Sequence, residues 1–399
     1  MNLCNTIIVM SAFGVISDSI LIAFYPQFFE LRYGLNSSVH VGAYIAAISI
    51  AVMCALPLWA KLARKIEIMH LLVVTQGIAG LLGIASAWAP DVISYWVLTM
   101  LMFMTKASYL LMFPYLMRHE KPDNHALIIG LLSVVIHFGG ILGASIGGFF
   151  MQSYGPTLCV MLMAVGDFVQ MGLCLYLILT NRVIKTVVEL SDKSSKPIPR
   201  SKEHLHKLLT LSFLMLVFDL GAYLVRPFFS VYWEASTNIP NNFITGIVFS
   251  IPAGSALLAL FVNKYSKNHG LRVFDNTTIN LVLACIGLLL QSVPEMSFII
   301  LGRLIFGWGM FQVIVKLEVT LFKISTPDNY ARDFSVTNFF QNFGVLLASF
   351  ISGYLVTWFE IHIVFVIAAV LMLATIIIVR VFFGVDHQHA QSGAMSHAQ

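Results

Sequence analysis

The sequence predicts an all-α membrane protein, with twelve transmembrane helices arranged as two pseudo-symmetric bundles of six. Three observations carry that prediction. Hydrophobic residues make up 58% of the chain and charged residues 11%, and the mean hydropathy is +0.86, whereas a soluble domain carries about 25% charged residues. The apolar runs are about 20 residues long, enough for helices to cross a hydrocarbon core of ~30 Å. The chain also repeats itself. Asp18 and Pro26, in DSILIAFYPQFF, return 201 residues later as Asp219 and Pro227, in DLGAYLVRPFF. PDNHA at 122–126 returns 205 residues later as PDNYA at 327–331, and Gly139 and Gly148 align with Gly344 and Gly353 at that same offset. Two copies of one apolar helical unit are the signature of a repeated-bundle membrane protein.

The predicted spans, in order, are 6–29, 40–60, 69–88, 94–117, 127–150 and 157–180 in the first half, residues 1–180. The second half, 207–383, holds 207–231, 243–262, 274–293, 297–321, 335–357 and 361–383. Span one lacks a cationic leader and a small-residue cleavage site and carries Asp18, so it reads as a retained helix. Residues 181–206 contain KTVVELSDKSSKPIPRSKEH, the longest polar stretch, and form a cytoplasmic linker with one short amphipathic helix at 183–190. The end, 384–399, is a polar, disordered tail, and His387 and His389 in it read as ordinary tail residues. Cys4, Cys54, Cys159, Cys174 and Cys285 lie in or beside apolar spans without CxxC spacing, so they are packing residues and no metal site is predicted.

Lys and Arg set the orientation. With the N-terminus in the cytoplasm, inner loops and tails hold nineteen of them and the outer loops one, Arg32. Both termini are therefore expected inside, and the net charge of +4 is an orientation signal that implies no nucleic-acid partner.

In span five, Gly130 is followed at fixed spacing by Gly139, Gly143-Ala144 and Gly147-Gly148. These fit the antiporter motif G-x8-G-x3-G-P-x2-G-G of the major facilitator superfamily, with alanine in place of proline. Glycines on one face let helix backbones approach, here where the two halves would meet. Span ten holds Arg303-Leu-Ile-Phe-Gly307-Trp-Gly309, similar to the R-x-x-x-G-x-G motif that the family carries in span four. The family's loop signature after span two is worn to LPLWAKLARK, keeping Arg64 and Lys65. Over nearly its whole length the chain resembles a major facilitator superfamily transporter, nearest the twelve-span drug and metabolite proton antiporters.

That resemblance places spans one, four, seven and ten around a central cavity. Five intramembrane charges fall on those spans: Asp18, Lys106, Asp219, Arg226 and Arg303. Each is costly in hydrocarbon, ~2.5–3.5 kcal/mol on insertion scales. Asp18 is the first choice as proton carrier, since the resembled antiporters put an acid at this depth. Lys106 is its counter-ion or a substrate ligand, and Asp219 a second carrier. The plainer alternative is that Asp18–Lys106 and Asp219–Arg303 are static ion pairs. Arg226 and Arg303 suit a carboxylate or phosphate because the guanidinium fork binds bidentately. Tyr25, Tyr109, Tyr223 and Trp308 are candidate substrate contacts among many packing aromatics. His137 and its repeat counterpart Asn342, with Gln341 beside it, put polar groups at one depth, and Asp167 in span six has no evident partner. Pro26 and Pro227 should bend the outer ends of their helices, where a gate would close.

The resemblance implies a proton-coupled secondary transporter working by alternating access, monomeric, in the inner membrane of a bacterium. It would need no cofactor beyond the proton gradient. The cation excess points to a small organic anion or zwitterion, such as a carboxylate metabolite or siderophore, and the resemblance implies export. The alternatives are multidrug efflux of lipophilic cations and import of carboxylates or siderophores on the same fold. An enzyme is excluded by the lack of paired catalytic groups, a metal cluster or a large polar domain.

Overall fold

The structure, a computed structural model, describes residues 3–119, 125–181, 201–268, 276–326 and 329–396. The expected short helix at 183–190 lies outside them, as do the side chains of Gly130 and His137. Every regular element among the described residues is helical. Eleven helical segments are long and apolar enough to cross a membrane, and the ninth span, Thr277–Gln291, is an apolar helix of 15 residues.

Prolines explain why some spans are broken. Span one is α1 (Leu3–Ile22) followed by α2 (Tyr25–Tyr33), with Pro26 in the first turn of α2. Proline has no N–H to give the carbonyl four residues back, so the first helix ends at Ile22. Span seven repeats this. Here α9 (Lys202–Tyr223) stops four residues before Pro227, a 3-10 turn covers Arg226–Phe228, and α10 (Phe229–Thr237) completes the crossing. Both second pieces end at a left-handed residue, Gly34 after α2 and Asn238 after α10.

Between them, the first half continues through α3 (Ser38–Leu62) and α4 (Ile68–Ala87) to span four, which is also broken. There α5 (Val92–Lys106) passes into a 3-10 turn at Ala107–Leu111 and then α6 (Met112–His119). Side chains from neighbouring helices satisfy the loosened backbone: Trp59 Nε1 donates to the Met104 carbonyl at 2.7 Å, and Gln76 to that of Lys106 at 3.4 Å. A mid-span 3-10 turn of this kind marks a point of local strain or hinging. The half ends with α7 (His125–Tyr154) and α8 (Pro156–Leu179). The second half has α11 (Asn242–Asn268), α12 (Thr277–Gln291), α13 (Met296–Ile324), α14 (Tyr330–Trp358) and α15 (Ile361–Ser396) after span seven.

Helix starts follow N-cap chemistry, with Ser37, Glu67, Asp91, Ser201 and Asn276 each accepting from backbone N–H groups of the first turn. The Ser94 backbone and hydroxyl hold the Asp91 carboxyl below the usual carboxylate range. The Ser201 cap starts span seven at Lys202, five residues before the predicted boundary. The last helix is described to Ser396, past the predicted boundary at 384. The intervening GVDHQHAQSGAMS is polar but contains no proline to stop the helix.

Within the first half α1 packs on α7 and α8; in the second α9 packs on α14 and α15. The halves meet along α3–α14 and α7–α11. At the face opposite the termini these seams are backbone against backbone. A Cβ on Gly42 would lie 2.5 Å from the Ser349 carbonyl, and one on Gly246 2.5 Å from that of Ala144. Gly353 meets the Ser38 carbonyl in the same way, and Gly148 that of Asn242. These contacts are repeat mates, since 38 and 42 map to 242 and 246 and 144 and 148 map to 349 and 353. The other motif glycines do something else: Gly139, Gly143 and Gly147 press α7 onto Val15, Ile16, Ser19 and Ile20 of α1. The motif therefore packs mainly within the first bundle, and only Gly148 of those described serves the seam predicted for all of them.

Candidate functional site

Lys106 is the last residue of α5, at the start of the 3-10 turn, and its side chain reaches into the first bundle. Its ammonium lies 2.8 Å from Asp18 of α1 and 2.6 Å from Asp167 of α8, and donates to Ser17 Oγ at 3.2 Å. Three protons meet three acceptors, so the group is fully satisfied. Asp167 thus has the partner that the sequence did not reveal. Tyr109 contributes from the same turn, its hydroxyl donating to Asp18 at 3.0 Å. Lys106 is 2% exposed, Asp167 0% and Asp18 28%. With both acids ionised the triad carries one net negative charge, and one added proton makes it neutral. A charge that close to hydrocarbon is expensive, so a one-proton difference matters. Asp18 shares a helix face with Val15 and Ser19, which line the central cavity, and is the acid of the pair that water can reach.

The central cavity, about 400 Å³, lies mostly in the second bundle. The first supplies only Val15, Ser19, Ile136 and Gly140. The second supplies Asp219, Tyr223 and Arg226 from span seven, Phe249 and Ser250 from α11, Gln291 from α12, Arg303 from α13, and Asn338, Gln341 and Asn342 from α14. Predicted neighbours separate here. Asp219 and Arg303 form no ion pair, so that static alternative is not realised. Arg303 gives its Nε proton to the Val248 carbonyl at 2.8 Å, and its other nitrogens to the Phe249 carbonyl and to Gln291. The cause is Pro252 in α11, which cannot donate to residue 248 and leaves that carbonyl open. The Arg303 guanidinium also lies 3.8 Å from the Phe229 ring centroid, a cation–π contact.

Arg226 is the freer cation, half-buried over the rings of Tyr223 at 5.0 Å and Phe249 at 5.8 Å, with no acid partner among the described residues. Asp219 is 5% exposed and has no cation partner among the described residues. The Gln341 side chain reaches both Asp219 and Glu318 of α13. Glu318 falls inside predicted span ten, yet beside Lys316 and Lys323 it reads as part of the charged inner end. Asn342 lines the cavity and turns its amide onto Asn338, with donor distances of 2.9 and 2.8 Å.

Of the other candidates, Tyr25 is buried in an aromatic cluster with Phe29 and Tyr44, away from the cavity. Trp308 packs beside Ala256, Ala259 and Phe311. Lys106 does not line the central cavity and belongs to the acid triad. His137 falls outside the described side chains. At the face opposite the termini, Ser230 and Glu234 of α10 hold Gln27 of α2 at 3.3 and 3.5 Å, joining spans one and seven just beyond Pro26 and Pro227. At the other face, Phe113 of α6 packs on Phe322 and Phe334 of the second bundle, with ring centroids 5.5 Å apart in each pair. A second opening of about 660 Å³ lies there between the bundles, edged by Lys61, Arg64, Arg118 and Arg332 with Glu67.

Two six-helix bundles around a cavity, with charges buried in the spans, are the arrangement of a secondary membrane transporter. Residues 211–396 match the family model described as Major Facilitator Superfamily. The fold is shared with the crystal structure of the human organic anion transporter MFSD10 (TETRAN), at a TM-score of 0.74 and 12% identity over 94% of this chain and 98% of that one. It is also shared with the nucleoside transporter NupG, at 0.68 and 15% over 96% and 100%. No protein of curated function matches the chain by sequence. The second half of the chain thus matches the family's model, and the whole chain shares the fold of these transporters.

Proposed function

We propose that this protein is a proton-coupled antiporter that exports a small organic anion or zwitterion, such as a carboxylate metabolite or siderophore, by alternating access. The observation that carries the reading is the Asp18–Lys106–Asp167 triad, which is one proton short of neutrality and is open to water mainly at Asp18. Loading that proton neutralises the first bundle, and losing it restores a charge that favours an open, hydrated state. Neighbours in fold include an organic anion transporter and a nucleoside transporter, so fold alone leaves the substrate open; the cavity's charges narrow it. Arg226 offers an unpaired guanidinium to a carboxylate or phosphate. With the termini in the cytoplasm, the cationic opening edged by Lys61, Arg64, Arg118 and Arg332 faces the cytoplasm and would gather anions there, which supports export. The uncompensated Asp219 favours a second reading, efflux of a lipophilic cation.

The test needs no substrate. Purified protein in liposomes on a solid-supported membrane should give a transient current when the pH is stepped, as protons load the triad. Asp18→Asn should remove the current and Asp219→Asn should leave most of it. An undiminished current in Asp18→Asn would sink the assignment.

A further inference from the structure

Arg226 and Asp219 face one cavity with opposite charges, yet among the described residues neither is ion-paired with the other or with any other charge. They sit seven residues apart on span seven, about 10 Å of helical rise. Asp219 is 5% exposed, so its carboxylate has lost most of its water, and its contact is the Gln341 amide, shared with Glu318. Gln341 cannot neutralise either acid. One oxygen of Glu318 is buried without a hydrogen bond. Arg303 cannot compensate them, because its protons are committed to the Val248 and Phe249 carbonyls and to Gln291. The cavity therefore has an unmet positive end at Arg226 and an unmet negative end at Asp219, with Glu318 behind it across the Gln341 amide. A simple anion would leave the carboxylates buried and bare, and a simple cation would leave Arg226 so; each bare charge costs affinity.

We infer that the substrate is dipolar, with a carboxylate or phosphate held at Arg226 and an ammonium held at Asp219, separated by a spacer that packs on Tyr223 and Phe249. This deepens the proposed function and rests on the central cavity being the substrate site; it does not rest on proton coupling or direction.

The experiment is a binding series on the purified full-length protein. Linear ω-amino acids of six and eight carbons are compared with the matched dicarboxylates and diamines, by calorimetry and by the shift of the thermal transition. An amino acid should bind at least about tenfold more tightly than either matched partner, the loss expected when one charge-assisted contact is left unmade. Asp219→Asn should remove the preference over the dicarboxylate, and Arg226→Gln the preference over the diamine. Equal binding of dicarboxylate and amino acid, unaffected by Asp219→Asn, overturns the inference in favour of an anion site. A diamine that binds best overturns it in favour of a cation site, and no binding by any of the six compounds overturns it as well. The pH-step current is a separate readout, so a failed binding series with an intact Asp18-dependent current rejects the dipolar substrate and leaves the proton reading standing.

Discussion

Replacing Lys106 with Met keeps the side-chain length and removes the charge that two buried carboxylates share. The attraction across the 2.6 Å Lys106–Asp167 contact is about 6 kcal/mol at an effective dielectric constant of about 20. Desolvation cancels much of that in the intact protein. In the variant the desolvated Asp167 remains with no cation, and breaking a buried pair from one side costs ~3–5 kcal/mol. A second change, Asp167→Asn, removes the stranded charge, and Asp18, at 28% exposure, can still be hydrated. The double variant Lys106→Met/Asp167→Asn should therefore be more stable than Lys106→Met alone. Reversible unfolding in mixed micelles, followed by tryptophan fluorescence, gives the four corners of the cycle. Costs of the two single changes that add to within about 0.5 kcal/mol would show that the groups act independently and would refute the triad as an energetic unit.

Two further outcomes concern packing. Gly143→Ala should cost ~1–3 kcal/mol by overpacking, because the added Cβ would lie 2.5 Å from the Ile16 carbonyl. Gly140→Ala, whose nearest neighbour is Ser19 Oγ at 4.0 Å, should be tolerated by the same thermal assay. Arg303→Gln should destabilise the ligand-free protein more than Arg226→Gln, by roughly 1–3 kcal/mol, since it strands the Val248 and Phe249 carbonyls. Adding Pro252→Ala, which returns an N–H to the Val248 carbonyl, should recover part of the loss; no recovery would mean that Arg303 acts elsewhere.

The twelve spans and the duplication were legible because lipid imposes a length and a composition on every crossing, and because Asp18/Asp219 and Pro26/Pro227 survive in both copies. Even the breaks in spans one and seven could be anticipated, since a proline fixes which carbonyl loses its partner. Side-chain partners were less legible. Asp167 and Lys106 are joined only by the way α8 packs beside α5, which no periodicity records. Arg303 looked like a substrate ligand because its backbone acceptors are created by Pro252, on a different helix. Trp308 shares α13 with cavity residues and Tyr25 follows those of span one across the break before Pro26, and local packing, which spacing does not record, turned both away. The span-five glycines are spaced for close approach, but spacing does not say to which neighbour: most of them meet α1.

The seams at Gly42–Ser349, Gly353–Ser38, Gly148–Asn242 and Gly246–Ala144 put main chain directly on main chain. A barrier built from side chains can leak by one rotamer swinging aside on a nanosecond timescale. Here nothing can swing, because at each contact one partner has no side chain and the other presents its carbonyl. Water can pass that face only if whole helices part, and the repeat-related placement of the contacts means that α3 leaves α14 as α7 leaves α11. The barrier is thus tied to a slow, collective motion, and stray thermal fluctuation of single residues gives solutes and protons no shortcut across it.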